Sequence, residues 1–458
     1  MLIATKTLGC KVNQYETEML KERLQKNGHE IVQENDFADV YIINTCTVTS
    51  LADRKSRQYI RKMKKLNPNS VIAVTGCYAQ ISPEEVAAIE AVDIVVGTNK
   101  KGELPALIEE FVSKKAEEHV VDVDAYEALN EYIETGIVTS MESRTRAYIK
   151  VQEGCNRFCS YCVIPYARGK VRSRQVEFVV EEAKSLIGQG FKEIVLTGIN
   201  TALYGTEPEF EYEGELKGIE IIINELEQID GDFRIRLSSL EPTVINAEYV
   251  EKLTKYKKLC PHLHLSVQSG SDNVLKLMNR RYDRQEYLDI VNVLKRFDSG
   301  YGITTDIIAG FPGESEEDFR DSLDMVERVG FCKVHAFKYS KRPGTKAAEM
   351  KGHVAPEVKN RRSTELIKAG DKSSVRFREG CKNQKRRMLI EEFDIDTKFF
   401  NGYTENYIKA YLPLDEYISL LTEEKEGLDM DCIVEQAINS FVDVKMLELY
   451  RDGMTCCV

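Results

Sequence analysis

The sequence predicts an α/β protein in three parts. These are an N-terminal doubly wound parallel sheet, a central partial (β/α)6 barrel of the TIM type and a C-terminal small antiparallel β-barrel. Three observations predict it. Residues 1 to about 100 alternate short apolar runs with amphipathic helical stretches. From Arg146 to about Tyr339 the same alternation returns over six candidate strands. From about Lys372 it gives way to strand-like runs broken by turn residues.

In the first part, Leu2–Leu8, Ala38–Asn44, Val71–Thr75 and Asp93–Val96 are strand candidates, and Tyr15–Lys26, Asp53–Leu66 and Pro83–Ala91 are helix candidates. An acid-rich linker (Asp122, Asp124, Glu127, Glu131, Glu134) follows. The second part offers strands at Ala147–Gln152, Glu193–Thr197, Arg234–Ser238, His262–Val267, Gly302–Ala309 and Val334–Tyr339, with helical stretches between them. In the last part, Arg387–Asp394, Tyr403–Leu412 and Ile433–Tyr450 look like strands, and Asn401-Gly402 and Asp452-Gly453 look like turns. The expected division is 1–113, a linker over 114–140, 141–371 and 372–458.

Composition excludes several classes. A chain of 458 residues with 42% hydrophobic and 30% charged content is long enough for several cores. No apolar run nears the ~20 residues of a spanning helix, and the first residues read as a strand rather than a signal peptide, so a cytoplasmic protein without membrane contact is expected. Twelve cysteines then mean metal-bound or reduced thiols rather than disulfides. The net charge of −12 hides local excesses: Arg54–Lys65 has seven bases and no acid, and Lys359–Arg387 has eleven bases against three acids. Such faces can neutralise phosphates on an acidic protein. The stretch Ile390–Val458 is the reverse, with sixteen acids and five bases, so nucleic acid would meet it only over a small surface such as Lys382–Arg387 and Lys409.

Two cysteine patterns carry the chemistry. Cys155, Cys159 and Cys162 form Cys-x3-Cys-x2-Cys just past the first strand of the second part. Three thiolates hold a [4Fe–4S] cluster and leave one iron open to a small molecule. A structural zinc site would need a fourth ligand, and the nearest His, His119, is far upstream. The polar residues between these cysteines argue against buried apolar thiols. Cys10, Cys46 and Cys77 each follow one of the first three strands. Strand carboxyl ends share one edge of a parallel sheet, so three distant cysteines meet on one rim, a second cluster site. Cys260, Cys332, Cys381 and Cys432 fit structural roles, and Cys456-Cys457-Val458 reads as a mobile tail.

These residues resemble a known family. Cys-x3-Cys-x2-Cys after the first strand of a partial barrel resembles the radical S-adenosylmethionine (SAM) superfamily. Thr7-Leu-Gly-Cys10-Lys-Val-Asn-Gln-Tyr-Glu16, Asn44-Thr-Cys46-Thr-Val48 and Thr75-Gly-Cys77-Tyr-Ala-Gln80 resemble its methylthiotransferases. So do Thr197-Gly198-Ile-Asn200, Ser238-Ser239-Leu-Glu241-Pro242, His264-Leu-Ser-Val-Gln268-Ser-Gly270 and Asp306-Ile-Ile-Ala-Gly310-Phe-Pro312-Gly313-Glu314. The last segment is similar to a TRAM module, a small RNA-contacting barrel. Cys-Lys-x-Asn-Gln at Cys10 resembles the branch acting on N6-threonylcarbamoyladenosine at tRNA position 37. The isopentenyladenosine branch tends toward Gly-Cys-Gln-Met-Asn and the branch modifying a ribosomal-protein aspartate toward Gly-Cys-Pro-Lys-Asn, and both remain alternatives.

The resemblance implies two [4Fe–4S] clusters and SAM as cofactors. The cluster on Cys155, Cys159 and Cys162 would reduce SAM to methionine and a 5′-deoxyadenosyl radical, which takes hydrogen from C2 of the base. The cluster on Cys10, Cys46 and Cys77 would hold the sulfur that a further SAM methylates, and both would face one chamber. Matching motifs place SAM contacts at Thr197, Gly198, Asn200, Ser239, Glu241 and Gln268. The implied partners are the tRNA anticodon stem-loop, a sulfur donor and a low-potential electron donor. The strip Arg168, Lys170, Arg172, Arg174, with Arg280, Arg281 and Lys359–Arg387, could track phosphates, and Tyr161 or Tyr166 could stack a splayed base.

Overall fold

A computed structural model describes residues 1–114, 118–139, 145–421 and 429–458. Residues 115–117 and 140 of the expected linker, and 141–144 at the start of the expected third segment, lie outside the described residues.

The N-terminal part runs β1 (Leu2–Thr7), α1 (Lys11–Lys26), β2 (Glu30–Val32), β3 (Val40–Thr45), α2 (Ser50–Leu66), β4 (Val71–Gly76), α3 (Cys77–Ile81), α4 (Pro83–Ala87), β5 (Ile94–Val96), α5 (Leu104–Lys114) and β6 (Val120–Asp122). Its strands form one parallel sheet in the order β2-β1-β3-β4-β5-β6. Central strand β3 is buried throughout, as the apolar run from Val40 requires when helices cover both faces. Apolar clusters lie on each face, one with Leu20, Leu24 and Ile108, the other with Ile60, Met63 and Val86. The order reverses between β1 and β3, the switch point at which such sheets bind ligands. Edge strands β2 and β6, three residues each, are the elements that hydrophobic patterning misses.

The central part contains β7 (Arg146–Glu153), α6 (Ile164–Arg168), β8 (Arg172–Ser173), α7 (Val176–Gly188), β9 (Glu193–Gly198), α8 (Glu220–Glu227), β10 (Arg234–Leu237), β11 (Ser239–Leu240), α9 (Ala247–Leu253), β12 (His262–Leu265), α10 (Asp272–Leu277), α11 (Arg284–Phe297), β13 (Gly302–Ala309), α12 (Glu316–Val329), β14 (Lys333–Lys338), α13 (Lys346–Glu349) and α14 (Pro356–Gly380). All six expected strands are present. With the two-residue strands β8 and β11 they form two four-stranded sheets, β10-β9-β7-β8 and β11-β12-β13-β14, an open barrel interrupted between β10 and β11. A large core fills the space between strands and helices, with a smaller cluster around Val274, Met278, Phe311 and Tyr339. Capping boxes start α11 (Asp283 with Glu286), after the turn from α10, and α12 (Ser315 with Asp318), after β13.

The C-terminal part is a closed barrel of β15 (Lys385–Asp394), β16 (Phe399–Thr404), β17 (Lys409–Pro413), β18 (Phe441–Tyr450) and β19 (Gly453–Cys457), in the order β15-β16-β17-β19-β18. Helices α15 (Leu414–Ile418) and α16 (Met430–Ala437) interrupt it. Four neighbouring pairs are antiparallel and β17–β19 is parallel. A ring of five strands cannot alternate direction throughout, so one parallel pair is unavoidable.

Several expectations about this part are corrected. Tyr403–Leu412 is not one strand but the end of β16, a turn and β17. Asn401-Gly402 is not a turn but lies inside β16, where a Cβ on Gly402 would come within 1.9 Å of the Leu389 carbonyl. The stretch from Ile433 is helix before it becomes strand. The C-terminal tail is not mobile: Cys456 is fully buried opposite Met446, while Cys432, expected to be structural, is exposed.

The barrel caps the amino-terminal ends of the core strands. Arg234 and Arg236 of β10 donate to the carbonyls of Tyr403 (3.0 Å) and Glu405 (3.1 Å), and Asn406 donates to the carbonyl of Gly300 (2.8 Å). His262 stacks on Tyr407 at 4.6 Å. The carboxyl ends of those strands, at the opposite side, are left for chemistry. No helix among the described residues is long and apolar enough to cross a membrane.

Candidate active site

The site is built where strands end. On the N-terminal sheet, β1, β3 and β4 are adjacent, and Cys10, Cys46 and Cys77 follow them by at most three residues. Cys10 and Cys46 flank the switch point. Gly9 adopts φ +116°, and a Cβ there would lie 2.8 Å from Cys46 Cβ, so only glycine lets these two cysteines approach. Gly76, at φ +97°, turns β4 directly into α3 at Cys77, with no room for a side chain against the Thr45 carbonyl. Burial pushes the Cys46 thiol up to about 12, with the nearby Cys77 adding to it. Burial also raises Cys10, with Cys77 again contributing.

Cys155, Cys159 and Cys162 lie in the loop between β7 and α6 and line a cavity of about 330 Å³. Its wall continues through Asn200, Ser239, Glu241, Ser266, Gln268 and Arg280, at the carboxyl ends of successive strands. Burial pushes Cys155 up to about 11 and Cys162 up to about 12, and it raises Cys159. Buried thiols of this kind form thiolates when a metal takes them. Among the described residues no group of three His, Cys, Asp or Glu is set to hold a single ion. Two sets of three mutually close cysteines suit a cluster, whose thiolates bind separate irons.

Several of the expected SAM contacts meet in this cavity. The Asn200 side chain donates to Glu241 (2.9 Å), and its Oδ1 is buried without a partner. Gln268 holds φ +63°, a left-handed conformation unusual for a non-glycine residue, at the cavity wall. Glu241 is clamped by Arg157 (3.0 Å) and Arg280 (3.0 Å). Thr197 is buried within β9 and Gly198 closes that strand; neither lines the cavity, which is reached at Ile199 and Asn200. Arg157, Ser266 and Asp306 also line it. Hydrogen bonds from Ser266 to Asp306 (3.1 Å) and between His264 and Ser266 (3.0 Å) tie two strands together at its floor. The sequence signal for Arg157 was its place inside the cysteine motif.

The two cysteine sets are joined. Val48 and Thr49, just past Cys46, line the cavity of the second set. Arg342 fastens that loop, bonding Thr47 (2.5 Å) and Asp53 (2.6 Å) in buried contacts. Arg168, at the end of α6, donates from Nε to Cys77 Sγ (3.2 Å), from Nη2 to Asn13 (2.5 Å), and from Nη1 to Glu16 (2.6 Å) and Glu153 (3.1 Å). Lys101 and Lys150 complete this buried network by pairing with Glu16. Burial alone would raise the Glu16 carboxyl, but Arg168, Lys101 and Lys150 outweigh it and hold it well below the usual range. Cys10 lies on the rim of a separate depression with Gln14 and Glu18.

The expected phosphate strip is corrected here. Arg168, Arg172 and Arg174 are buried, Arg174 being paired with Glu182 and Glu134, and only Lys170 of that strip is exposed. Arg280 belongs to the cavity, where it bonds Tyr161 (2.7 Å), which also lines it, while Tyr166 is half exposed beside Phe158. In Lys359–Arg387 the guanidinium groups are largely occupied: Arg361 and Arg362 with Glu316, Arg376 with Glu327, Arg386 with Asp298 and Arg387 with Asp232. On the barrel, Lys382 pairs with Glu448 and Lys409 with Asp452.

Known proteins place this arrangement. Residues 149–326 match the model of the Radical SAM superfamily and residues 2–97 that of Uncharacterized protein family UPF0004. The chain is 41% identical to the threonylcarbamoyladenosine tRNA methylthiotransferase MtaB of Bacillus subtilis, over 89% of each chain. It is 40% identical to the protein of that name from Aquifex aeolicus, covering 89% of this chain and 96% of the relative. It is 36% identical to the tRNA-2-methylthio-N(6)-dimethylallyladenosine synthase of Carboxydothermus hydrogenoformans, over 84% and 87%. The fold is shared with the radical S-adenosylmethionine methyltransferase TsrM from Kitasatospora setae (TM-score 0.56, 15% identity, 76% and 77% coverage). The chain belongs to the radical SAM methylthiotransferase family.

Proposed function

We propose that this protein converts N6-threonylcarbamoyladenosine at tRNA position 37 to its 2-methylthio derivative. One observation carries the reading: two cysteine triplets at the carboxyl ends of parallel strands in two sheets, the loop after Cys46 walling the cavity of Cys155–Cys162. Cys155, Cys159 and Cys162 hold one [4Fe–4S] cluster, and Cys10, Cys46 and Cys77 hold the other. Bound there, the clusters and SAM supply one-electron and sulfur-transfer chemistry that no side chain can perform on an unactivated adenine C–H. Asn200, Ser239 and Gln268 orient the polar groups of SAM, with Thr197 and Gly198 shaping the strand end behind them. Glu241 holds Arg157 and Arg280 against the cavity wall, and the wall excludes water from the reacting carbon. A sulfur donor and a low-potential electron donor complete the turnover in the cytoplasm.

Nucleoside mass spectrometry of tRNA from a deletion strain tests the substrate. The expected result is loss of the methylthio mark on threonylcarbamoyladenosine alone. Loss on isopentenyladenosine instead, or on a ribosomal-protein aspartate, overturns the assignment. The SAM site is tested by Glu241→Gln, which removes the charge that holds two arginines. The KM for SAM should rise at least about tenfold, the scale of one lost charged hydrogen bond. An unchanged KM in the assay of 5′-deoxyadenosine release would remove Glu241 from the binding wall.

A further inference from the structure

The guanidinium groups of the 168–174 strip and of the long helix α14 are largely taken up by internal partners, which leaves those elements only scattered exposed lysines such as Lys170, Lys368 and Lys372. One surface combines exposed, unpaired cations with direct access to the cavity. Helix α2 starts at its rim: Val48 and the N-cap residue Thr49 line the cavity, and Ser50 bonds Ser340, which lines it too. The Arg342 bonds to Asp53 and Thr47 fix the first turn of α2 to the core. The helix then leads away from the mouth for 17 residues, about 25 Å.

Its buried side carries Asp53, Ser56, Ile60 and Met63. The opposite side presents Arg54, Lys55, Arg61 and Lys65 at helical spacing, all exposed. Among the described residues none forms an ion pair with any of these four, in contrast to Arg57, which bonds Glu85. At the head of this row, Val48 (54% exposed), Leu51 (48%) and Phe337 (45%) set an apolar rim on an otherwise polar surface. A row of free cations leading to an apolar rim fits single-stranded or looped RNA: the cations take the phosphates and the rim takes an unstacked base.

We propose that the exposed face of α2, through Arg54, Lys55, Arg61 and Lys65, is the phosphate track that leads the RNA loop into the cavity, and that the C-terminal barrel is not the principal electrostatic contact. This rests on the tRNA reading above. Each phosphate neutralised by a cation releases counterions, so the track sets the salt dependence of binding.

The test uses the full chain with both clusters reconstituted and an anticodon stem-loop RNA carrying threonylcarbamoyladenosine. Binding is measured from 50 to 200 mM salt for the wild type, for Arg54→Gln/Lys55→Gln/Arg61→Gln/Lys65→Gln, and for Lys368→Gln/Lys372→Gln on α14. Four lost phosphate contacts should flatten the slope of log K against log salt by about three. The α14 variant should keep the wild-type slope, and both variants should keep the wild-type rate of RNA-independent SAM cleavage, which shows that fold and clusters are intact. A track variant that binds with the full wild-type slope, while the wild type methylthiolates the RNA, overturns this proposal alone. An equal loss in the α14 variant also overturns it. A wild type that neither binds nor modifies the RNA overturns the substrate reading and this proposal together.

Discussion

Replacing Cys10, Cys46 and Cys77 by alanine should halve the iron, from about eight to about four atoms per chain after anaerobic reconstitution, because in the proposed assignment each triplet holds its own four-iron cluster. The variant should still release 5′-deoxyadenosine from SAM, since the cavity of Cys155, Cys159 and Cys162 belongs to a different sheet with its own core. It should attach no sulfur to tRNA. The three cysteines lie on a rim where alanine fits without strain, as Cys46 and Cys77 follow strands β3 and β4, which hold their register through the backbone up to Thr45 and Gly76. Iron assay, SAM turnover and product analysis on one preparation separate the outcomes. A variant that keeps all its iron, or still methylthiolates tRNA, would show that these residues are not the ligands of a second cluster.

Glu16→Gln should produce the largest loss of stability from a single substitution. Glu16 is 2% exposed and accepts from Arg168, Lys101 and Lys150, so the change leaves Arg168 and Lys150 with Glu153 as their one carboxylate among the described residues and deprives buried Lys101 of its ion pair. Breaking a buried ion network from one side costs about 3–5 kcal/mol. The cost falls on the joint between the N-terminal sheet and the core, because Glu16 is on α1 and its partners Lys150 and Arg168 are on β7 and α6. Acid should reveal the same network. The carboxyl of Glu16 is held well below its ordinary value, and that of Glu153 is about 2, as Lys150 and Arg168 outweigh its burial. Both therefore contribute stability that is complete above about pH 4.5 and is lost as pH falls toward 2. Denaturation across that window should be shallower in Glu16→Gln than in the wild type. Equal midpoints and equal acid dependence would mean that the network does not join the two parts.

Much of the site was legible in the sequence because its residues sit at strand ends, where short apolar runs give way to Gly-Cys or Thr-Cys. Hydrophobic patterning located the strands and topology did the rest, since parallel strands bring their carboxyl ends to one edge. The basic strip from Arg168 was misread for a definite reason. Alternating arginines look like a solvated strand, and the carboxylates that bury them, Glu16, Glu153, Glu134 and Glu182, come from separate elements, Glu16 lying 152 residues away. Local spacing carries no information about such partners. Asn401-Gly402 failed differently: the glycine is there for a close approach of two strands, which composition alone does not distinguish from a turn. The clamp on Glu241 was half legible, as Arg280 stood out for its charge and was assigned to the surface.

The central claim is that two cysteine triplets from different sheets present their clusters to one reacting space, although Cys10 also opens on a depression of its own. Electron paramagnetic resonance of the fully reduced protein tests this most directly, compared with the two variants that each lack one triplet. The expected spectrum is broadened by magnetic coupling between the clusters, unlike the sum of the two single-cluster spectra. A wild-type spectrum equal to that sum would place the clusters too far apart to act on one carbon, and would contradict it.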